Sequence, residues 1–144
     1  MENTRMNPEV KTKWLEALRS DNYNKGVMSL KISRADKVFH CCLGVLCEIY
    51  IQETGKGSWQ KTYESSFRLT FTSENESSGA FPTKDVLQWA GIQLEGSRCI
   101  SFQPDEQDRQ KYGDNTSLVG NNDSSDFADD PSYERAIEII EKYF

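Results

Sequence analysis

The residues best equipped for chemistry crowd into one stretch, FHCCLGVLCEIY, residues 39–50, which holds three of the four cysteines and the sole histidine. Three chemistries could use it. A structural zinc site brings cysteine pairs on a tight knuckle with two to four residues between them. Here Cys41 and Cys42 are adjacent, and Cys42 and Cys47, though four residues intervene, would point in different directions on a helix. His40, Cys41, Cys47 and Cys99 could complete a tetrahedral set only without that knuckle. A nucleophilic cysteine needs an electropositive, partly open setting. His40 could supply it for Cys41, but the sequence identifies no carboxylate or amide to orient the imidazole. The third reading is a buried helix. Leu43, Leu46, Cys47 and Tyr50 fall on one helical stripe, and Cys42, Val45 and Ile49 widen it. Free cysteine packs like a small hydrophobe. The expectation is therefore a cysteine-rich core helix with Cys42 and Cys47 buried and metal-free.

Other sites fail on spacing. GKGS at 55–58 lacks the longer glycine spacing and the lysine-hydroxyl ending of a phosphate loop. Asp123 to Glu134 spans an EF-hand's length, but Ala128 stands where that loop needs glycine, and Phe127 where it needs an oxygen ligand. Gln103 to Asp130 is polar and acidic, and a solvated acidic loop is the better reading of the EF-hand-length segment. No catalytic triad, metal motif or dinucleotide fingerprint is recognisable, so no metal and no cofactor is expected.

The bulk properties narrow the class. A chain of 144 residues has room for one real core, and a single domain over 1–144 is expected. Its 36% hydrophobic and 28% charged residues are a globular balance, not a disordered one. The net charge of -6 repels phosphate backbones, which argues against nucleic-acid binding. No apolar run approaches membrane-spanning length, and residues 1–7 form no signal-peptide core, so the expected location is the cytoplasm, with reduced thiols.

The elements that must position these residues can be read in order. Asn7, Pro8 and Glu9 suit a helix start, and Val10, Trp14, Ala17 and Leu18 recur at helical spacing. SDNYNKG ends that helix, VMSLKIS alternates as a strand, and RADK turns. After the cysteine segment, ETGKGSWQKTYESS reads as a turn or hairpin leading to FRLTFTS, where Phe67, Leu69 and Phe71 alternate with polar residues. Thr83 to Gly91 is a helix with Val86, Leu87 and Ala90 inside and Trp89 beside them. RCISF is a further strand, and TSLVGNND a short helix started by Thr116. A closing helix follows Ser132, with Ala136, Ile137, Ile140 and Phe144 as its stripe. The fold class is α+β: about four helices on a small antiparallel sheet built from segments near 27–32, 67–73 and 98–102.

KWLEALRS, YNKG, CCLGVLC, WAG and NND, in that order, resemble a family of small uncharacterised proteins of tailed phages and prophages. The resemblance covers most of the chain and implies a setting rather than a reaction: an accessory protein in the host bacterial cytoplasm during infection. In that setting the expected function is binding, with counter-defence by sequestering a small nucleotide-derived signal. One alternative is an inhibitor of a host protein, and another is a small hydrolase using Cys41 with His40 or a carboxylate such as Asp123. Self-association into a homo-oligomer stays open. A nucleotide pocket needs aromatic faces and cationic or amide donors. The candidates are Trp14, Arg19, Tyr23, Lys25, Arg34, Trp89, Asn122 and Asp123, with Trp59 in the same supply. The pocket is expected where the first helix ends and near the Asn122–Asp123 turn.

Overall fold

A computed structural model describes residues 6–20, 22–26, 29–34, 36–61, 68–92, 105–112, 118 and 133–144. The first helix, α1 (Pro8–Arg19), starts where Asn7 Oδ1 accepts from Glu9 N at 2.9 Å. Its stop is equally local: Ser20 turns extended and its hydroxyl donates to the Ala17 carbonyl. Val10, Trp14, Leu15 and Leu18 form the buried stripe. The short strand β1 (Asn24–Lys25) follows.

Next come β2 (Lys31–Arg34) and β3 (Lys37–His40), joined by a hairpin in which Asp36 takes a φ of 66°. Aspartate tolerates that left-handed conformation better than most side chains. The helix expected over the cysteine stretch therefore begins later than its apolar pattern suggests. Phe39 and His40 belong to β3, and α2 covers Cys42–Thr54. Cys41 sits between them in extended conformation, so the chain changes element inside the motif. Gly55, with a φ of 71°, ends α2.

The strands β4 (Ser58–Lys61) and β5 (Arg68–Thr72) pair antiparallel, and β6 (Ser77–Ser78) pairs with β5. Together the described strands make one six-stranded sheet with the order β1-β3-β2-β5-β4, β6 lying off that path on β5. The α+β class holds, but the sheet is mixed rather than purely antiparallel. The connection from β1 back to β3 runs through β2, which leaves Asn24 and Lys25 parallel to Phe39 and His40. Of the strand expected near 27–32, Lys31 and Ile32 belong to β2, Ser29 and Leu30 precede it, and residues 27–28 lie outside the described residues. The expected strand at 98–102, Thr116, Ser132 and Phe67 lie outside the described residues.

Three further helices complete the described chain: α3 (Lys84–Ala90), α4 (Glu106–Tyr112) and α5 (Glu134–Tyr143). The polar, acidic stretch from Gln103 on, where no element is expected before Thr116, contains α4. Asp105 explains the start, since its carboxylate accepts from Asp108 N at 2.9 Å. Gly91 closes α3 at a φ of 78°, in a place where a Cβ would come within 2.9 Å of Asn7 N.

The hub of the core is α2, which packs against α1, α3 and β3, while α5 packs on α1. Residues 42–47 of α2 are all buried, which accounts for the broad apolar surface of CLGVLC. Each fully buried leucine there contributes about 1.5–3 kcal/mol. Gly44 is where α2 meets the backbone before β2. A Cβ on it would lie 1.9 Å from the Leu30 carbonyl oxygen, so only glycine permits the approach. The same carbonyl accepts from Cys41 N at 3.2 Å, fixing the start of α2 on the sheet.

Candidate functional site

The step from β3 to α2 brings the end of the strand beside the second turn of the helix. His40 Nε2 lies 2.7 Å from Glu48 Oε2, and Lys31 Nζ, from the neighbouring strand β2, donates to the same oxygen at 2.9 Å. Burial pushes the Glu48 carboxyl up, but the His40 and Lys31 hydrogen bonds and charges outweigh it and hold the group down at about 2. Glu48 is thus an ionised acceptor. The sequence alone identifies no orienting carboxylate for His40; the fold supplies one eight positions along the chain.

Aromatic rings frame this hydrogen-bonded triad. Tyr23 meets His40 edge to face with centroids 5.1 Å apart, and Trp59 meets it from β4 at 6.2 Å. Lys31 Nζ lies over the Trp59 ring, 4.9 Å from its centroid. Burial first, and then the Glu48 charge, push the Tyr23 phenol above its ordinary value, with a Gln52 hydrogen bond offsetting part of this.

The other side of Tyr23 opens on a groove. Its volume is about 400 Å³, within the range of small-molecule sites. Lys13, Glu16 and Ala17 of α1, Ser20, Asn22 and Tyr23 of the following turn, and Ile49, Gln52 and Glu53 of α2 line it. The arrangement follows from helical spacing, because Ile49 and Glu53, and Glu16 and Ser20, are each four apart. Two carboxylates face one ammonium, and Lys13 is already paired with Glu53. Hydroxyl and amide groups supply the remaining polarity.

Among the described residues, Tyr23 is the one sequence-predicted ligand residue that lines this groove. Trp14 is fully buried in the core, and its indole Nε1 donates to the Cys42 carbonyl at 2.9 Å. Arg19 pairs at the surface with Glu141. Lys25 is half-buried in β1, and Arg34 is exposed at the end of β2. Trp89 packs edge to face on Tyr50 at 5.3 Å. Asn122 and Asp123 lie outside the described residues. The fold does not gather the described members of this set into one site: they belong to the core, an ion pair, two strands and a helix flank.

Cys41, Cys42 and Cys47 are buried. Burial, followed by the nearby Cys41 and Glu48, pushes the Cys47 thiol well above its ordinary value. His40 and Cys41 are consecutive in extended backbone, so their side chains leave on opposite faces, and the imidazole goes to the Tyr23–Trp59 side. Among the described residues no group of histidine, cysteine and carboxylate side chains could hold a metal ion. Nor is any helix among them long and apolar enough to cross a membrane.

Sequence reasoning missed Lys31, Glu48 and Gln52. One signal was available: Glu48 is the only charged residue between Cys41 and Ile51, and a charge inside an apolar helix calls for a buried partner. Its partners come from other elements and left no local trace.

Comparison with curated proteins returns no match, and comparison with solved structures returns none either. A family model described as a domain of unknown function, DUF8296, matches residues 6–144 and so takes in both the Lys31–His40–Glu48 triad and the groove. The chain belongs to that family.

Proposed function

We propose that this protein binds its target without turning it over, and that the groove between the end of α1 and α2 is the recognition surface. The observation that carries the reading is the lining. Ser20, Asn22, Tyr23 and Gln52 present hydroxyl and amide groups around a volume suited to a small molecule. No nucleophile–base pair stands among those residues. His40, though oriented by Glu48, is 5% exposed and belongs to the ring cluster behind Tyr23. The resemblance to tailed-phage accessory proteins supports a setting in the infected bacterial cytoplasm and a role in counter-defence.

Within that reading a nucleotide-derived signal enters by its nucleoside end. Tyr23 and the amides suit a base and a ribose, whereas Glu16 and Glu53 repel phosphates. Lys13, already paired with Glu53, offsets this only in part, so the phosphates stay in solvent. The test incubates the protein with nucleotide immune signals and bacterial lysate, followed by chromatography before and after heating. Depletion by wild type with recovery of intact ligand on heating is expected, and Gln52→Ala and Asn22→Ala should weaken the depletion. Altered product at substoichiometric protein would replace this reading with an enzyme. Absence of any small-molecule depletion would leave a host protein as the target.

A further inference from the structure

The groove has most of its hydrogen-bond donors engaged and its acceptors open. The Ser20 hydroxyl donates to the Ala17 carbonyl at 2.7 Å, and the Lys13 ammonium donates to Glu53 at 2.5 Å. Burial and then the Glu48 charge raise the Tyr23 phenol, and a Gln52 hydrogen bond lowers it. A bond that lowers a phenol is one given to its oxygen, so the Gln52 N–H side is directed at Tyr23 and its carbonyl is left to accept. Glu16 is the remaining carboxylate of the lining, and it is exposed on α1. Among the described residues no hydrogen bond or ion pair engages its side chain. Lys13 does not neutralise it: the Glu53 hydrogen bond leads the causes that raise Lys13, and Glu16 comes last among them. Asn22 bonds to Ser20 through its backbone N–H, which leaves its side-chain amide open among the described residues.

A ligand matched to this lining donates more than it accepts. We propose that Glu16 is a specificity-determining residue of the groove and that the base it selects is guanine. One edge of guanine carries two adjacent N–H donors, on N1 and on the exocyclic N2, with the O6 acceptor next to them. A carboxylate accepts such a pair in parallel, as it does from a guanidinium. The open Asn22 amide donates to O6, and Tyr23 offers its ring for stacking. The other bases fit less well. Adenine and cytosine place a ring-nitrogen lone pair beside their amino group, and that lone pair would face the second Glu16 oxygen. The single ring N–H on the pairing edge of uracil lies between two carbonyl oxygens, which a carboxylate repels. This deepens the binding reading and rests on it for the entry of a nucleotide by its nucleoside end.

The test is equilibrium dialysis of the full chain against guanosine, inosine, adenosine and uridine monophosphates. The guanosine nucleotide should bind about tenfold or more tightly than the others. Inosine monophosphate keeps the N1 proton and lacks the exocyclic amine, so it isolates the second donor. Glu16→Gln should weaken the guanosine nucleotide about tenfold or more and leave the adenosine nucleotide unchanged. Circular dichroism should show that variant folded, because Glu16 is exposed. Absent binding of guanosine monophosphate, equal binding of the adenosine or uridine nucleotide, or full affinity in Glu16→Gln would each overturn the assignment. So would equal competition by methylguanidine, a bare cation with the same pair of N–H donors. With the groove reading intact, such a failure leaves another ligand depleted from lysate by wild type and less so by Gln52→Ala. Failure of the groove reading looks different: neither Gln52→Ala nor Asn22→Ala alters whatever binding or depletion wild type shows.

Discussion

His40 and Glu48 meet 2.7 Å apart, one ending β3 and the other in the second turn of α2, with Lys31 of β2 on the same carboxylate oxygen. This contact ties two strands to the central helix through one anion. Removing one member of such a partly buried set leaves the others unmatched.

Glu48→Gln should therefore destabilise the fold at neutral pH by about 2 kcal/mol, allowing for partial exposure of the site. The sign follows from a folded pKa of about 2 against an ordinary value of 4.5. The carboxylate's contribution is fully present above the ordinary value and is lost as pH falls towards about 2. Urea unfolding of both proteins across pH 7 to 2.5 checks this. The gap between wild type and variant should narrow on acidification, and a constant gap would contradict the assignment.

Gly44→Ala should cost about 3 kcal/mol or more, although alanine favours helices elsewhere. The added methyl would overlap the Leu30 carbonyl, which is backbone and cannot rotate away. Differential scanning calorimetry should show a large fall in Tm. A neutral or stabilising substitution would mean that α2 does not sit on Leu30.

Trp14→Phe should lower stability by about 1–2 kcal/mol by leaving the Cys42 carbonyl without its indole donor. Because Trp14 is fully buried, ligand depletion by the folded variant should equal that of wild type. Selective loss of binding at unchanged stability would restore Trp14 as a ligand contact.

Cys47 should resist iodoacetamide in the native protein and react only on unfolding. Complete burial and the raised thiol pKa both suppress the thiolate. Peptide mapping by mass spectrometry reads the site individually. Rapid native alkylation of Cys47 would show that α2 opens to solvent.

Much of the helical framework is legible from local pattern. Asn7 and Pro8 announce α1, the apolar surround of CLGVLC announces a helix buried on most sides, and Thr83 and Gly91 bracket α3. The start of α2 is less legible, because His40 and Cys41 are compatible with helix, and pairing with Lys31 is what draws His40 into a strand. The helix α4 is hidden for another reason: EQDRQKY has no apolar stripe, and its start rests on the single Asp105 cap.

The site divides along the same line. Tyr23 can be singled out because an aromatic beside polar donors at a helix end is a local feature. Residue types and one-dimensional spacing determine which helices form, which faces they bury and that the cysteines go inside. Only the tertiary structure decides that Lys31, His40 and Glu48 share one oxygen, that Trp59 covers them, and that Gln52 faces Asn22 across a groove. Hydrophobic periodicity acts within a few residues and is written in the chain. Ion pairs and grooves arise where separate elements dock, and the same side chains in sequence are compatible with many other partners until the backbone closes.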